Sequence, residues 1–122
     1  MKSKKPFDQY TKDEIEKYKF QFIKNTLRRA SYRWPWRSVA TKRAWLEWGK
    51  YKCENCKKVI AAKEKQLDHK LPVVDLKKGF QGWDEYCERL FVGSEGFQVL
   101  CLSCHAEKTN NENEKRRKYR NG

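Results

Sequence analysis

Cys53-Glu-Asn-Cys56 and Cys101-Leu-Ser-Cys104 are two CxxC pairs of equal spacing, and His105 follows the second at once. Each pair turns two sulfurs toward one point, so together they supply the four thiolates of a closed structural zinc site. Such a site leaves no open position for chemistry, and losing it is expected to unfold the domain. Residues 57–100 separate the pairs, a long spacer for a zinc ribbon, so this stretch must leave the metal and return. The other histidine of the sequence, His69, lies inside that excursion, next to Asp68. An aspartate and a histidine from separate elements make a hard, partly open site for a divalent ion, and a third group can stay unligated as a base. Asp68, His69 and His105 are therefore the candidate catalytic set. Cys87 falls within an apolar helical stripe and is read as a small buried hydrophobe.

The elements that would position these groups follow from periodicity. Gln66–Leu71 reads as a strand, and Gly93-Ser-Glu-Gly96 turns the chain into a second strand, Phe97–Cys101, able to pair antiparallel with the first. A helix is expected from about Leu102, so the zinc would fasten the base of a hairpin to the start of a helix. Asp68 and His69, as strand neighbours, point to opposite sides. Trp83, Tyr86, Cys87, Leu90 and Phe91 mark a helix over Trp83–Phe91. Upstream, Thr11 and Glu14 have capping-box spacing, and Tyr10 and Ile15 that of a hydrophobic staple, at the head of a helix from Lys12 to Arg29. Its apolar positions, Ile15, Tyr18, Phe22, Ile23, Thr26, Leu27 and Ala30, predict one broad buried face. Pro35 predicts a loop, with a second helix from Ser38 to about Trp48. The tryptophans between Trp34 and Trp48 are expected to fill the core, with arginines fringing them.

With 122 residues, the chain is expected to form one domain with an accessory arm. Its hydrophobic fraction, 38%, barely exceeds its charged fraction, 37%, so the core is modest and a metal staple would help hold it. Lys and Arg number 29 against 16 Asp and Glu, and the net charge of +13 points to a polyanion, with nucleic acid first. No clean cationic amphipathic helix suggests a membrane surface as partner. No apolar run is long enough to span a bilayer, and Met1-Lys-Ser-Lys-Lys-Pro-Phe7 lacks a signal-peptide core, so a cytoplasmic protein with reduced thiols is expected. Residues 1–50 read as an N-terminal helical arm, 51–115 as the core and 116–122 as a basic tail. Lys115-Arg-Arg-Lys-Tyr-Arg120 puts five cations in six residues, by default a solvated or frayed end and otherwise a phosphate contact.

From about Tyr51 to Lys115 the sequence resembles the HNH endonucleases. The resemblance is carried by Cys53 and Cys56, Leu67-Asp68-His69, Pro72, Gln98-Val-Leu-Cys101, Cys104-His105 and Lys108-Thr109. The flanks, Trp34-Pro35-Trp36 and Trp83-Asp-Glu-Tyr86, are similar to a short phage-encoded branch found beside genome-packaging genes. The resemblance implies an α+β fold with a small ββα-metal core, a four-cysteine zinc site and metal-dependent hydrolysis of DNA to 5′-phosphate and 3′-hydroxyl ends. It implies that His69 is the general base, with a neutral ring, and that Asp68 and His105 hold one Mg2+, Mn2+ or similar ion. Lys108, Arg116 and Arg117 would contact phosphates. One active site in an expected monomer nicks one strand, in the cytoplasm of a bacterial host if the gene is phage-borne, with DNA and the terminase or other packaging proteins as partners.

One position departs from the family pattern: Gly96 stands where the family's middle asparagine braces the hairpin loop, and Ser94 or Glu95 is the expected substitute. Two other functions fit the same composition. A non-catalytic zinc-ribbon module would bind nucleic acid without cutting it, and a scaffold would hold packaging proteins more tightly than DNA.

Overall fold

The structure, a computed structural model, describes residues 5–121. The first four residues of the expected arm, which open the stretch read for a signal peptide, and Gly122 of the expected tail lie outside the described residues. The chain divides into two compact units, residues 1–32 and 33–122.

The first unit is a short 3-10 turn, Phe7–Gln9, followed by α1, Lys12–Ser31. The capping box forms as its spacing predicts: Glu14 N–H donates to Thr11 Oγ1 at 3.2 Å, and Thr11 N–H donates to Glu14 Oε1 at 2.9 Å. Lys5 and the Thr11 N–H hold the Glu14 carboxyl down at about 2. The expected buried face is a correction. Ile15, Tyr18, Phe22 and Thr26 are exposed, Ile23, Leu27 and Ala30 are half-buried, and Ser31 is the buried residue of the helix. Among the described residues of this unit, Phe7 meets Tyr10 and Tyr18 at ring distances of 5.4 and 5.5 Å, and Tyr10 meets Tyr18 edge-on at 6.2 Å. A stripe of apolar residues fixes which way a helix faces, not whether something covers it.

The second unit opens with α2, Pro35–Arg43. Trp34 is extended, as the residue before a proline should be, but the helix starts at Pro35 and ends before Trp45. Proline serves here as the first helical residue, where its missing N–H costs nothing. The expected Ser38–Trp48 helix is thus corrected at both ends. Three short strands follow, β1 Trp45–Glu47, β2 Lys50–Lys52 and β3 Val59–Ala61, in an antiparallel sheet ordered β1-β2-β3. Next come β4, Gln66–His69, α3, Trp83–Leu90, β5, Phe97–Leu100, and α4, Leu102–Asn121. β4 and β5 pair antiparallel in the register Leu67↔Val99, Asp68↔Gln98 and His69↔Phe97. The fold is a mixed helix and strand architecture with two small antiparallel sheets.

The main core gathers Ala44, Cys53, Ile60, Val99, Leu100, Cys101 and Cys104, with Tyr51 and Leu67 packed on it. Around α3, Tyr86, Leu90, Val73 and Phe97 are buried, and Cys87 is half-buried on the same stripe. Trp34 joins α3 from the other side, its ring edge-on to Phe91 at 5.2 Å and its indole N–H donating to Val92 O at 2.6 Å. The remaining tryptophans of that stretch depart from the core expectation: Trp36, Trp45 and Trp48 are exposed. α4 stays helical to Asn121, so the basic end is not a frayed tail but the last turns of a helix that is polar all round. No helix among the described residues is long and apolar enough to cross a membrane.

Candidate metal centre and adjoining site

The knuckle at Cys53 is a tight turn in which Cys53 N–H donates to Lys58 O and Lys57 N–H donates to Cys53 O, both at 2.9 Å. Closing it puts Lys57 in the left-handed region, φ 69°. The second knuckle is the joint between β5 and α4. It brings the sulfurs of Cys53, Cys56, Cys101 and Cys104 within 4.8 Å of one another, with Cys56 Sγ and Cys101 Sγ 3.9 Å apart. A tetrahedron with metal–sulfur bonds of about 2.3 Å has edges of about 3.8 Å, so the four thiols fit a zinc-sized ion. They are the metal-ligating cluster found among the described residues.

Groups around the sulfurs favour thiolate. Backbone N–H groups of Cys56 and Cys104 donate to Cys53 Sγ and Cys101 Sγ at 3.5 and 3.4 Å, and the Asn55 amide donates to Cys104 Sγ at 3.3 Å. Ser103 Oγ lies 3.5 Å from Cys101 Sγ; this contact and the Cys104 N–H hold the Cys101 thiol down at about 6. At Cys104 the Asn55 amide pulls downward, but hydrogen bonding with Cys101, burial and the other two thiols push it up to about 11. A bound metal overrides this division by deprotonating all four.

Glu54, between the first two cysteines, locks the knuckle to β5: its N–H donates to Val99 O, and its Oε1 accepts from Val99 N–H, both at 2.8 Å. Arg43 of α2 meets the same carboxylate with two bonds, at 2.8 and 2.9 Å, and donates onward to Ser94 O at 2.9 Å and Phe97 O at 2.7 Å. That guanidinium hydrogen bond is the main reason the Glu54 carboxyl sits below its usual range. The loop brace expected from the Ser94 or Glu95 side chain thus comes from Arg43. At Gly96 a Cβ would lie 2.5 Å from Val92 Cγ2, so the backbone there leaves no room for a side chain.

The three candidate catalytic residues are placed as follows. His69 is buried, 7% exposed, with its ring 4.7 Å from Phe97 and its Nε2 2.8 Å from Leu90 O. A carbonyl only accepts, so Nε2 carries a proton and Nδ1 is the basic nitrogen of the neutral ring. Asp68, on the opposite side of β4, meets Lys108 Nζ at 2.9 Å; Lys108 also reaches Glu112 at 2.8 Å. Burial works against the charge on Lys108, but these two carboxylates hold its pKa above the ordinary value. Lys108 is therefore a paired cation rather than an unengaged phosphate ligand. His105 is half-buried in the first turn of α4, three residues before Lys108 and on the same helix face.

Arg116 and Arg117 are exposed further along α4, and Arg116 donates to Asn113 Oδ1 at 2.9 Å. Two cavities adjoin Lys108 and His69. One of about 360 Å³ is lined by Asn55, Gln98, Cys104, Lys108, Asn111 and Glu112, and another of about 380 Å³ by His69, Lys70, Glu88, Arg89, Glu95 and Gly96. Asp68, His69 and His105 are not gathered as a second metal cluster among the described residues.

Sequence reasoning missed Arg43 and Glu54. A CENC knuckle whose second residue is acidic, with an arginine 11 residues before that acid, is the signal the sequence holds. In comparisons with known proteins, no family model, no curated protein and no solved structure matches the chain. The protein is small, combines helices with two small antiparallel sheets, and has four cysteines placed to bind a metal such as zinc.

Proposed function

We propose that the protein is a metal-dependent HNH endonuclease that nicks DNA. The observation carrying this reading is the run of antiparallel β4–β5 through the four-thiol cluster into α4, with Asp68 and His69 on β4 and His105 in the first turn of α4. Lys108 touches Asp68 and shares a face with His105, so Asp68 and His105 belong to facing surfaces. A carboxylate oxygen and an imidazole nitrogen suit Mg2+ or Mn2+, and Asp68 and His105 would hold that ion. When bound, the ion supplies positive charge against the scissile phosphate. Lys108 pairs with Asp68 and holds its carboxylate in place. His69, held by Leu90 O and Phe97, takes a proton from the attacking water at Nδ1, so cleavage falls as acid protonates the ring. Arg116 and Arg117 grip the backbone, and packaging proteins are the partners.

A second reading has its own support. His69 is buried and Asp68 is already paired with a lysine, as suits a zinc-ribbon module that binds nucleic acid without cutting it. Supercoiled plasmid, incubated at low salt with Mg2+ or Mn2+ and zinc-loaded wild-type or His69→Ala protein, separates the two. Open circles from wild type alone are the expected result. No conversion by either protein, with DNA still bound, assigns the binding module.

A further inference from the structure

The three-stranded sheet has two unlike faces. Trp45, Tyr51 and Ile60 are cross-strand partners on one face, where Ile60 is buried and Tyr51 packs on the cysteine-lined core. Lys52 and Val59 pair on the other, and both are exposed. The tip of the β1–β2 hairpin is Trp48-Gly49, with Gly49 at φ +75°. Trp48 is 92% exposed, more than any other large apolar side chain among the described residues. Leaving an indole in water forgoes a large burial gain, which makes its position at a hairpin tip a feature to be explained.

Its surroundings are cationic. Residues 42–65 hold eight Lys and Arg against three acidic residues. Those three acids are already engaged: Glu54 by Arg43, Glu64 by the Ala61 N–H at 3.3 Å, and Glu47 by Lys50 at 3.4 Å. Lys42, Lys52, Lys58 and Lys63 have no ion-pair partner among the described residues. Protein interfaces are depleted in lysine, whereas an exposed aromatic at one end of a sheet, with unpaired lysines further along it, is a pattern that suits single strands, bases stacking on the ring and phosphates meeting the cations.

We propose that the β1–β2 hairpin is a docking surface for single-stranded DNA, with Trp48 stacking on an unpaired base and Lys52 and Lys58 neutralising the backbone. That the strand is DNA rests on the proposed function; the stacking surface does not. The test is fluorescence anisotropy of a labelled short oligodeoxythymidine and of a duplex control. It uses full-length zinc-loaded protein without added Mg2+ or Mn2+, so that nicking, or its absence, does not enter the readout. Trp48→Ala should weaken single-strand binding roughly tenfold and duplex binding much less. Trp48→Tyr, which keeps a stacking ring, should stay within about threefold of wild type. Lys52→Gln should lower the log–log salt slope by about 0.7. Single-strand binding by Trp48→Ala within about twofold of wild type overturns the proposal, and a change in self-association in that variant would assign the tip to a protein partner. An equal loss on single strand and duplex also overturns it.

Discussion

At the scale of single residues, the chain keeps its two kinds of candidate ligand apart. The four sulfurs are mutual neighbours, whereas Asp68 is neutralised by Lys108 on the far side of β4 from His69. The two sites should therefore fail independently. Cys101→Ser is expected to reduce zinc content and melt the second unit, whereas Asp68→Ala should keep one zinc per chain, as metal analysis and thermal melting would read. Equal zinc loss in both would merge the two sites into one. The cysteines were legible because CxxC spacing is a local constraint on a turn. The capture of Asp68 by Lys108 was not, since nothing local links a strand residue to a helix residue 40 positions on.

At the scale of elements, α3 follows its sequence pattern because its apolar stripe is long enough to register, and the turn at Gly93–Gly96 and the second CxxC mark where β5 begins and α4 starts. β1, β2 and β3 are three residues each, too short to show alternation, and β1 is exposed throughout. What joins these pieces is the Arg43–Glu54 pair, which ties α2, the first knuckle, the Ser94–Gly96 turn and β5 together. Arg43→Ala should cost about 1–3 kcal/mol, since it removes charge-assisted bonds and leaves a half-buried carboxylate without its cation. Glu54 adds a pH signature. Its folded pKa is lowered from the ordinary 4.5, so its stabilising contribution is complete above that value and is lost as pH falls below it. The gap in melting temperature between wild type and Glu54→Gln should accordingly be widest near neutrality and narrow in acid. A gap that does not change with pH would remove Glu54 from the account.

At the scale of the whole molecule, the metal cluster and its core belong entirely to residues 33–122. A fragment of those residues should bind one zinc and melt in one transition, and a strong chelator should abolish that transition, as circular dichroism would show. A fragment that melts unchanged without metal would make the zinc incidental to folding. α4 contributes little to this core, with Cys104 its one buried residue. It is nevertheless unbroken from the metal joint to Asn121. On the proposed reading it acts as a ruler: at 1.5 Å per residue, Arg117 stands roughly 18 Å from His105, about five base-pair steps of DNA. The grip on the backbone and the point of cleavage would then keep a fixed separation, and lengthening α4 by whole turns would shift the nuclease-protection boundary while the nick stays where it is.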